Sequence, residues 1–543
     1  MAVLVSTLDP ATPGSGAGSG SGSANRDGLL RLLAEHEEQL ELARGGGGPR
    51  YVERHRQRGK LTARERVELL LDPGAPFLEL SPLAAWGTRF HVGASIVTGI
   101  GVVEGVECVI IAQDPTVKGG TMNPYTLKKN LRALEIARVN RMPLVNLVES
   151  GGADLPTQAD LFVPAGQIFH DLTQLSAMGI PTIALVFGNA TAGGAYVPGM
   201  CDHAVLVDQG AKVFLGGPPL VKMATGEESD DEELGGAAMH SRVSGLSDYF
   251  ARDERDCIRI GREIVADLGW RKLGPGPTTA NAGLSDPPLY DDDELLDIAS
   301  VDLRVPFDPR EVLARVVDGS RFDEYKPEYG TSLVTGWASI HGYRVGILAN
   351  AQGVLFMDEA KKATEFILLA NQTDTPLVFL QNCTGYMVGR EYEQAGIIKD
   401  GAKMINAVTN STVPHLTVIM GASYGAGNYG MCGRAYGPRF LFAWPNSKMA
   451  VMGPQQLAGV MSIVARQSAA AAGREFDEAA DEEQRQAIEA QIEAESHAFF
   501  NSGKLYDDGI IDPRDTRTVL GIALSAVHSN VVEGRRGFGV FRM

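Results

Sequence analysis

Short apolar, β-branched runs alternate with stretches of helical spacing along most of this chain. Residues 108–112, 144–148 and 182–187 are apolar runs of strand length, whereas 126–140 carries apolar residues three and four positions apart. Strand, turn and helix in repeated succession predict α/β layers, with the loops at strand ends forming a site. An amphipathic helix is predicted over 27–44, before the glycine run 45–48, and an acidic helical insertion with a solvated face over 475–495. Residues 1–25 are dominated by Ser, Gly, Ala and Thr without a basic or sustained apolar stretch, which predicts a disordered tail and no signal peptide.

The pattern occurs twice. Val97-Thr98-Gly99 precedes one strand run and Val334-Thr335-Gly336 precedes another at 344–349. Pro143-Leu144-Val145 followed by Glu149-Ser150-Gly151-Gly152 pairs with Pro376-Leu377-Val378 followed by Asn382-Cys383-Thr384-Gly385, an offset of 233. The same offset relates Pro181 to Pro414, Gly188 to Gly421, and Gly193-Gly194 to Ala426-Gly427, and an offset of 236 relates Gly217-Pro218 to Gly453-Pro454. A constant offset across Gly and Pro landmarks implies duplication. The predicted organisation is a tail at 1–26, a first copy at 27–285 and a second at 286–543, separated by a proline-containing, acidic linker within 273–293.

Composition narrows the function. A length of 543 residues suits two large domains, and 64 glycines suggest backbone brought close to ligand. A formal charge of −18 opposes nucleic acid or an anionic membrane as the main partner. Residues 176–201 are uncharged and long enough to span a bilayer, but Pro181, Asn189, Gly193, Gly194 and Pro198 make them a buried strand and a turn. The five cysteines have no metal-binding spacing, which predicts reduced thiols in the cytoplasm and no metal.

Two Gly-rich turns carry the candidate chemistry: Asn189-Ala190-Thr191-Ala192-Gly193-Gly194-Ala195 and Gly421-Ala422-Ser423-Tyr424-Gly425-Ala426-Gly427. Each follows an apolar strand and starts a helix, so successive N–H groups point into one concavity, an oxyanion hole in outline. No GxxxxGK[ST], GxSxG or HExxH pattern is present. Lys403 lacks the setting of a biotinyl-lysine and reads as structural, and Glu149, the one nearby candidate for the carboxylate of a hydratase, also reads as structural.

These segments together resemble the β subunits of biotin-dependent acyl-CoA carboxylases, from Tyr51-Val52-Glu53-Arg54-His55 and Gly59-Lys60-Leu61-Thr62-Ala63-Arg64-Glu65-Arg66 to Phe538-Gly539-Val540-Phe541-Arg542-Met543. Thr116-Val117-Lys118-Gly119-Gly120-Thr121, Gly216-Gly217-Pro218-Pro219-Leu220-Val221-Lys222, Met387-Val388-Gly389-Arg390-Glu391-Tyr392-Glu393 and the string SYGAGNYGMCGRAY from Ser423 to Tyr436 are similar to the 3-methylcrotonyl-CoA carboxylase branch, as is Asp507-Asp508-Gly509-Ile510-Ile511-Asp512-Pro513. Cys383 and Asn410-Ser411-Thr412 depart from it, which leaves the acyl group open.

The resemblance implies two tandem crotonase-like ββα superhelix domains of the α/β class. It implies a homohexamer whose active site lies where the first copy of one subunit faces the second copy of another. It further implies that Gly193 and Gly194 hold the thioester oxygen of an acyl-CoA while Ala426 and Gly427 hold the ureido oxygen of biotin, with Ala195, Lys118, Gly119, Gly120, Tyr424 and Gly425 binding the coenzyme groups. Biotin would arrive on a partner α subunit that also carries the biotin carboxylase. The alternatives sharing an acyl-CoA hole are a carboxyltransferase of a decarboxylase complex and a crotonase-type hydratase. A hydratase needs paired carboxylates beside one hole, and a noncatalytic scaffold subunit would be expected to lose one turn.

Overall fold

The computed structural model describes residues 2–8, 21–278, 286–537 and 539–540. Two sheets carry the duplication. In the first, the strand order is Phe77–Glu79, Ile96–Val103, Val106–Gln113, Leu144–Ser150, Thr182–Thr191, His203–Val207, Tyr249–Ala251, with Lys212–Phe214 on the far end of Thr182–Thr191. In the second it is Ala2–Val3, Arg321–Glu324, Leu333–Ile340, Tyr343–Asn350, Leu377–Cys383, His415–Tyr424, Phe440–Ala443, with Lys448–Ala450 on the end of His415–Tyr424. Each sheet begins with an antiparallel hairpin and continues in parallel, so each later connection crosses over through helix. The irregularity between Val148 and Ser150 recurs between Gln381 and Cys383, at the offset of 233 found in the sequence.

The crossover helices are anchored by the same device in both copies. Asn123 caps Pro124–Asn140 by accepting from the N–H groups of Tyr125 and Thr126, with Pro124 in the first turn where its missing N–H costs nothing. Lys129, inside that helix, is 1% exposed and donates to the carbonyls of Gly93 and Ile96 at 3.3 and 2.8 Å. Lys362 in Met357–Gln372 is fully buried and donates to the carbonyls of Gly330 and Leu333 at 3.3 and 2.7 Å. Burial pushes both ammonium groups down to about 8. Between pH 8 and 10.5 the unfolded chain holds these protons more tightly than the folded one, so both lysines make stability rise with pH across that window. Lys129→Met and Lys362→Met each strand carbonyls that had a donor, and each is expected to lower unfolding free energy by about 2 kcal/mol at neutral pH and to flatten the alkaline slope. Denaturant titrations at pH 7.5, 9 and 10.5 read both effects.

The copies are fused through a shared interior. One apolar cluster contains Ile96, Ile111 and Leu134 of the first copy, Val345, Ile347 and Leu416 of the second, and Leu520 and Leu524 of the helix Thr516–Val527. Asp508 ties the two electrostatically, accepting from Arg132 of the first copy at 2.8 Å and Arg434 of the second at 2.7 Å.

The N-terminal expectation needs correction. Ala2 and Val3 pair antiparallel with Phe322 and Arg321, Leu4 and Leu8 pack against the main core, and Ser6 and Thr7 hydrogen-bond to Glu311. This short, mostly apolar segment (Ala2 to Leu8) is ordered because it completes a sheet edge, buries Leu4 and Leu8 against the core and meets a carboxylate. The following helix starts earlier than predicted, at Ser21, and runs to Arg44. Arg26 bridges Asp293 and Asp297, so the start of this helix meets the second copy, while Leu32 and Leu40 further along it pack with Leu83 and Trp86 of the first. Residues 9–20 of the predicted tail and 279–285 of the predicted linker lie outside the described residues, while Leu273 and Gly274 donate to the carbonyls of Ser529 and His528. The acidic insertion forms Glu478–Ser496, which pairs with Pro454–Ala471 as a helical hairpin held by Arg466 to Glu478 and Ser462 to Asp481 at 2.5 Å. In the first copy, Pro218–Thr225 and Asp231–Gly235 occupy the corresponding place as shorter helices.

Candidate active site

The strands Thr182–Thr191 and His415–Tyr424 each run ten residues and end in an extended residue that introduces a tight turn. Thr191 (φ −105°, ψ 144°) leads into Ala192–Ala195, and Tyr424 (φ −113°, ψ 143°) leads into Gly425–Gly430. The next residue is left-handed in both, Ala192 at φ 54° and Gly425 at φ 52°. An alanine in this region costs about 1 kcal/mol relative to glycine, so the first turn carries backbone strain that the second avoids. At the start of a helical turn the leading N–H groups have no carbonyl behind them, and they remain available to an incoming oxygen.

The space in front of each turn is set by small residues. A Cβ on Gly194 would meet nothing within 4 Å, and Ala426 is exposed, so both positions border open space. Gly427 differs: its Cβ would lie 2.5 Å from Cys383 Sγ and 3.0 Å from Gly385 Cα, which makes glycine a packing requirement there. The thiol is pushed up to about 12 by burial and is a neutral packing group. Gly193 is confined on one side by Phe169, 3.3 Å from its Cβ position.

A glycine loop stands beside each turn. Lys118–Gly120 is joined to the end of the adjacent strand by Ser150 Oγ donating to the Gly120 carbonyl at 2.6 Å and by Gly151 N–H donating to Gly119 O at 2.9 Å. Gly120 has φ 70° and its Cβ would fall 2.4 Å from Glu149 O, so only glycine fits. Lys118 and Gly119 are exposed. In the second copy Gly353 takes this role, its carbonyl accepting from Thr384 N–H and hydroxyl. Gly353 lies 233 positions after Gly120, so the repeat could have found it. Two predicted side chains turn away from this space: Ala195 packs in an apolar cluster with Val148 and Ala190, and Tyr424 is 8% exposed, its hydroxyl pushed up to about 12 by burial.

Glu149 is committed elsewhere. Its carboxylate pairs with Lys60 at 2.5 Å and Arg66 at 2.7 Å. Burial alone would raise its pKa, but the two cations outweigh burial and hold it below the usual carboxylate value. A group locked in this way is a poor proton donor, which removes the carboxylate a hydratase would need. Sequence reasoning missed Lys60 and Arg66, because their contact with Glu149 spans more than eighty positions and leaves no local signal. Lys403 pairs with Asp400 at 2.9 Å on the helix Ile397–Asn410, in keeping with a structural role.

Both turns are ringed by exposed apolar side chains at matching positions: Leu155 and Val388 (75 and 74% exposed), Tyr196 and Tyr429 (44 and 45%), Leu215 and Val451 (60 and 76%). Apolar rims of this kind mark surfaces that are covered by a ligand or another chain. Among the described residues no helix is long and apolar enough to cross a membrane.

Comparison with known proteins agrees with this geometry. Residues 54–540 match the family described as "Carboxyl transferase domain". The chain is 64% identical over 541 residues to a "Probable biotin-dependent acyl-coenzyme A carboxylase beta2 subunit" of Mycobacterium tuberculosis, covering 100% of both chains. It is 50% identical over 518 residues to that organism's "Biotin-dependent 3-methylcrotonyl-coenzyme A carboxylase beta1 subunit", covering 94% of this chain and 97% of the relative. The crystal structure of the geranyl-CoA carboxylase beta subunit of P. aeruginosa aligns with a TM-score of 0.87 at 41% identity over 100% of both chains. With its duplicated crotonase-like fold and a Gly-rich turn in each half, the chain belongs to the carboxyl transferase family, as a carboxyltransferase β subunit of the biotin-dependent acyl-CoA carboxylases.

Proposed function

We propose that the first turn, at Gly193 and Gly194, holds the thioester oxygen of an acyl-CoA and that the second, at Ala426 and Gly427, holds the ureido oxygen of biotin. The observation that carries this reading is the pair of matching turns, with left-handed residues at φ 54° and 52° and open space in front of both. Carboxyl transfer creates negative charge on two oxygens, one on each reactant, and each needs preorganised donors of its own. The second turn leaves room for a ureido group at Ala426, which is exposed, while Gly427 packs the turn against Cys383 and Gly385. Biotin carried by a partner α subunit supplies the carboxyl group and a ring nitrogen able to accept the substrate proton. This chain's residues orient the two reactants, donate to the two oxygens and exclude water. No side-chain base is required, in keeping with the locked Glu149.

We infer an acyl group of the 3-methyl-2-enoyl thioester class, a reading supported by the substrates in the names of the 3-methylcrotonyl-CoA and geranyl-CoA relatives. Proton loss from the γ carbon of such an acyl group reaches the thioester oxygen through conjugation, so the same first turn serves it. Lys118 and Gly119, both exposed, would serve the acyl-CoA side, and Gly425 the biotin side. The matching apolar rims support an assembly in which the first copy of one subunit meets the second copy of another, within a homohexamer that docks the α subunits. The five cysteines are free thiols, which suits the cytoplasm.

The purified chain, mixed with biotinylated α subunit, ATP, bicarbonate and a panel of acyl-CoAs, is expected to form the carboxylated 3-methyl-2-enoyl thioester, read by mass spectrometry. Formation of the complex with no carboxylated product from any acyl-CoA overturns the reading. Carboxylation confined to saturated acyl-CoAs overturns the substrate assignment alone.

A further inference from the structure

The two turns have the same backbone but different foundations. Beneath the second, a hydrogen-bonded chain runs through the protein interior: Asn428 Nδ2 donates to Ser423 Oγ at 2.7 Å, Ser423 Oγ donates to Gln381 Oε1 at 2.6 Å, and Gln381 Nε2 donates to the carbonyl of Met431. Alongside it, Thr417 Oγ1 donates to the carbonyl of Cys432 at 2.8 Å. Gln381, Ser423 and Thr417 are fully buried and Asn428 is 8% exposed. Beneath the first turn, the residues 233 positions earlier are Val148, Ala190, Ala195 and Ala184, which all belong to one apolar cluster.

Stability does not explain the difference. A satisfied buried hydrogen bond contributes little net free energy, and replacing both partners by apolar groups of similar shape is close to neutral. The first copy shows that Val and Ala at these positions build a turn with the same left-handed residue and the same entry angles. What the polar set adds is a clamp on the peptide path. Ser423 sits on the strand entering the turn, Asn428 lies within its helix, and Met431 and Cys432 carry the carbonyls where the chain leaves. Cys432 is itself left-handed at φ 57°, a conformation that needs outside support in a residue with a Cβ. The second turn also lacks the stiffening of the first, since it has glycine at 425 where the first has Ala192.

We infer that Gln381, Ser423, Asn428 and Thr417 are positioning residues that fix the N–H groups of the second turn for the oxygen on which charge develops. The inference rests on the proposed assignment of that turn to biotin. Misplaced donors cost rate and leave acyl-CoA binding alone, because binding belongs to the other turn.

The test grafts the first copy's solution onto the second: Gln381→Val, Ser423→Ala and Asn428→Ala together, assayed in the assembled enzyme with its α subunit. KM for acyl-CoA should stay at the wild-type value and the thermal midpoint should fall only slightly, by the cost of the stranded Met431 carbonyl, whereas kcat, assayed well below that midpoint, should be at least tenfold lower. Ser423→Ala and Thr417→Val alone should each reduce kcat several-fold at unchanged KM, and Thr417→Ser, which keeps the hydroxyl, should restore it. A graft with wild-type kcat overturns the inference, and so does a kcat loss that merely tracks a fall in thermal midpoint. If the graft fails to assemble, the single variants decide by the same criteria. The assignment of the turn is checked separately by Ala426→Val: full activity there overturns the biotin reading, whereas loss there with a fully active graft overturns the clamp alone.

Discussion

Gly194→Val and Ala426→Val are each expected to reduce carboxyl transfer by at least two orders of magnitude in chains that fold and assemble as the wild type does. The folding half follows from space. A Cβ on Gly194 meets nothing within 4 Å and Ala426 is exposed, so the added methyl groups enter solvent instead of the core. The catalytic half follows from what fills that space in the complex. A branched side chain at the mouth of the turn holds the reacting oxygen beyond reach of the N–H groups, and loss of one such donor costs about 3 to 4 kcal/mol of transition-state stabilisation. That corresponds to roughly 10² to 10³ in kcat. The two variants should differ in a second respect. Gly194→Val should raise KM for acyl-CoA and leave that for the biotinylated partner unchanged, and Ala426→Val should do the reverse. Steady-state kinetics with each reactant varied in turn, beside thermal midpoints, reads both claims. Full activity in both variants would remove the turns from the site. Gly427→Ala is a poorer probe, because a Cβ 2.5 Å from Cys383 Sγ disturbs packing before it disturbs chemistry.

The turns were legible in the sequence because the signal is local and doubled. Gly193-Gly194 and Ala426-Gly427 stand at one offset, each after an apolar strand, and the left-handed backbone at 192 and 425 follows from that common plan. The parallel strands and the irregularity near Ser150 and Cys383 recur in the structure at the same offset. Residues whose partners are far away along the chain were not legible. Glu149 reads as structural in the sequence, but the partners that make it so, Lys60 and Arg66, meet it only in space, and the short segment at 2–8 resembled a tail until Phe322 and Glu311 supplied a strand edge and a carboxylate. The clamp beneath the second turn belongs to neither class. Gln381, Ser423 and Asn428 lie in plain sight at the repeat offset, but their meaning appears only when Val148, Ala190 and Ala195 are found under the first turn in an apolar setting.

Asp508→Asn is expected to lower stability by about 3 to 5 kcal/mol at neutral pH, the cost of removing one partner from a buried ion pair. The carboxylate is fully buried and accepts from Arg132 Nε and Nη2 at 2.8 and 2.9 Å, Arg434 Nη2 at 2.7 Å, and Leu441 N–H at 2.9 Å. Its burial alone would favour the protonated form, but the two guanidinium groups overcome that and hold it well below the usual carboxylate range. Its contribution is therefore present above the ordinary value of 3.8 and is lost as pH falls through the folded value. The neighbouring Asp507 has the opposite sign. It is 1% exposed, its Oδ1 meets no donor among the described residues, and burial pushes it up to about 7. Its contribution is present below 3.8 and is lost as pH rises through 7, so Asp507→Asn should stabilise the protein progressively from pH 5.5 to 8.5, relative to wild type. Denaturant midpoints across that range separate the two: a large, nearly constant deficit for Asp508→Asn, and a gain for Asp507→Asn that grows with pH. Equal behaviour of the two variants would refute the assignment of opposite roles. Because Arg132 belongs to the first copy and Arg434 to the second, Asp508→Asn should also weaken the fusion of the halves, seen as faster hydrogen exchange in both Pro124–Asn140 and Phe440–Ala443.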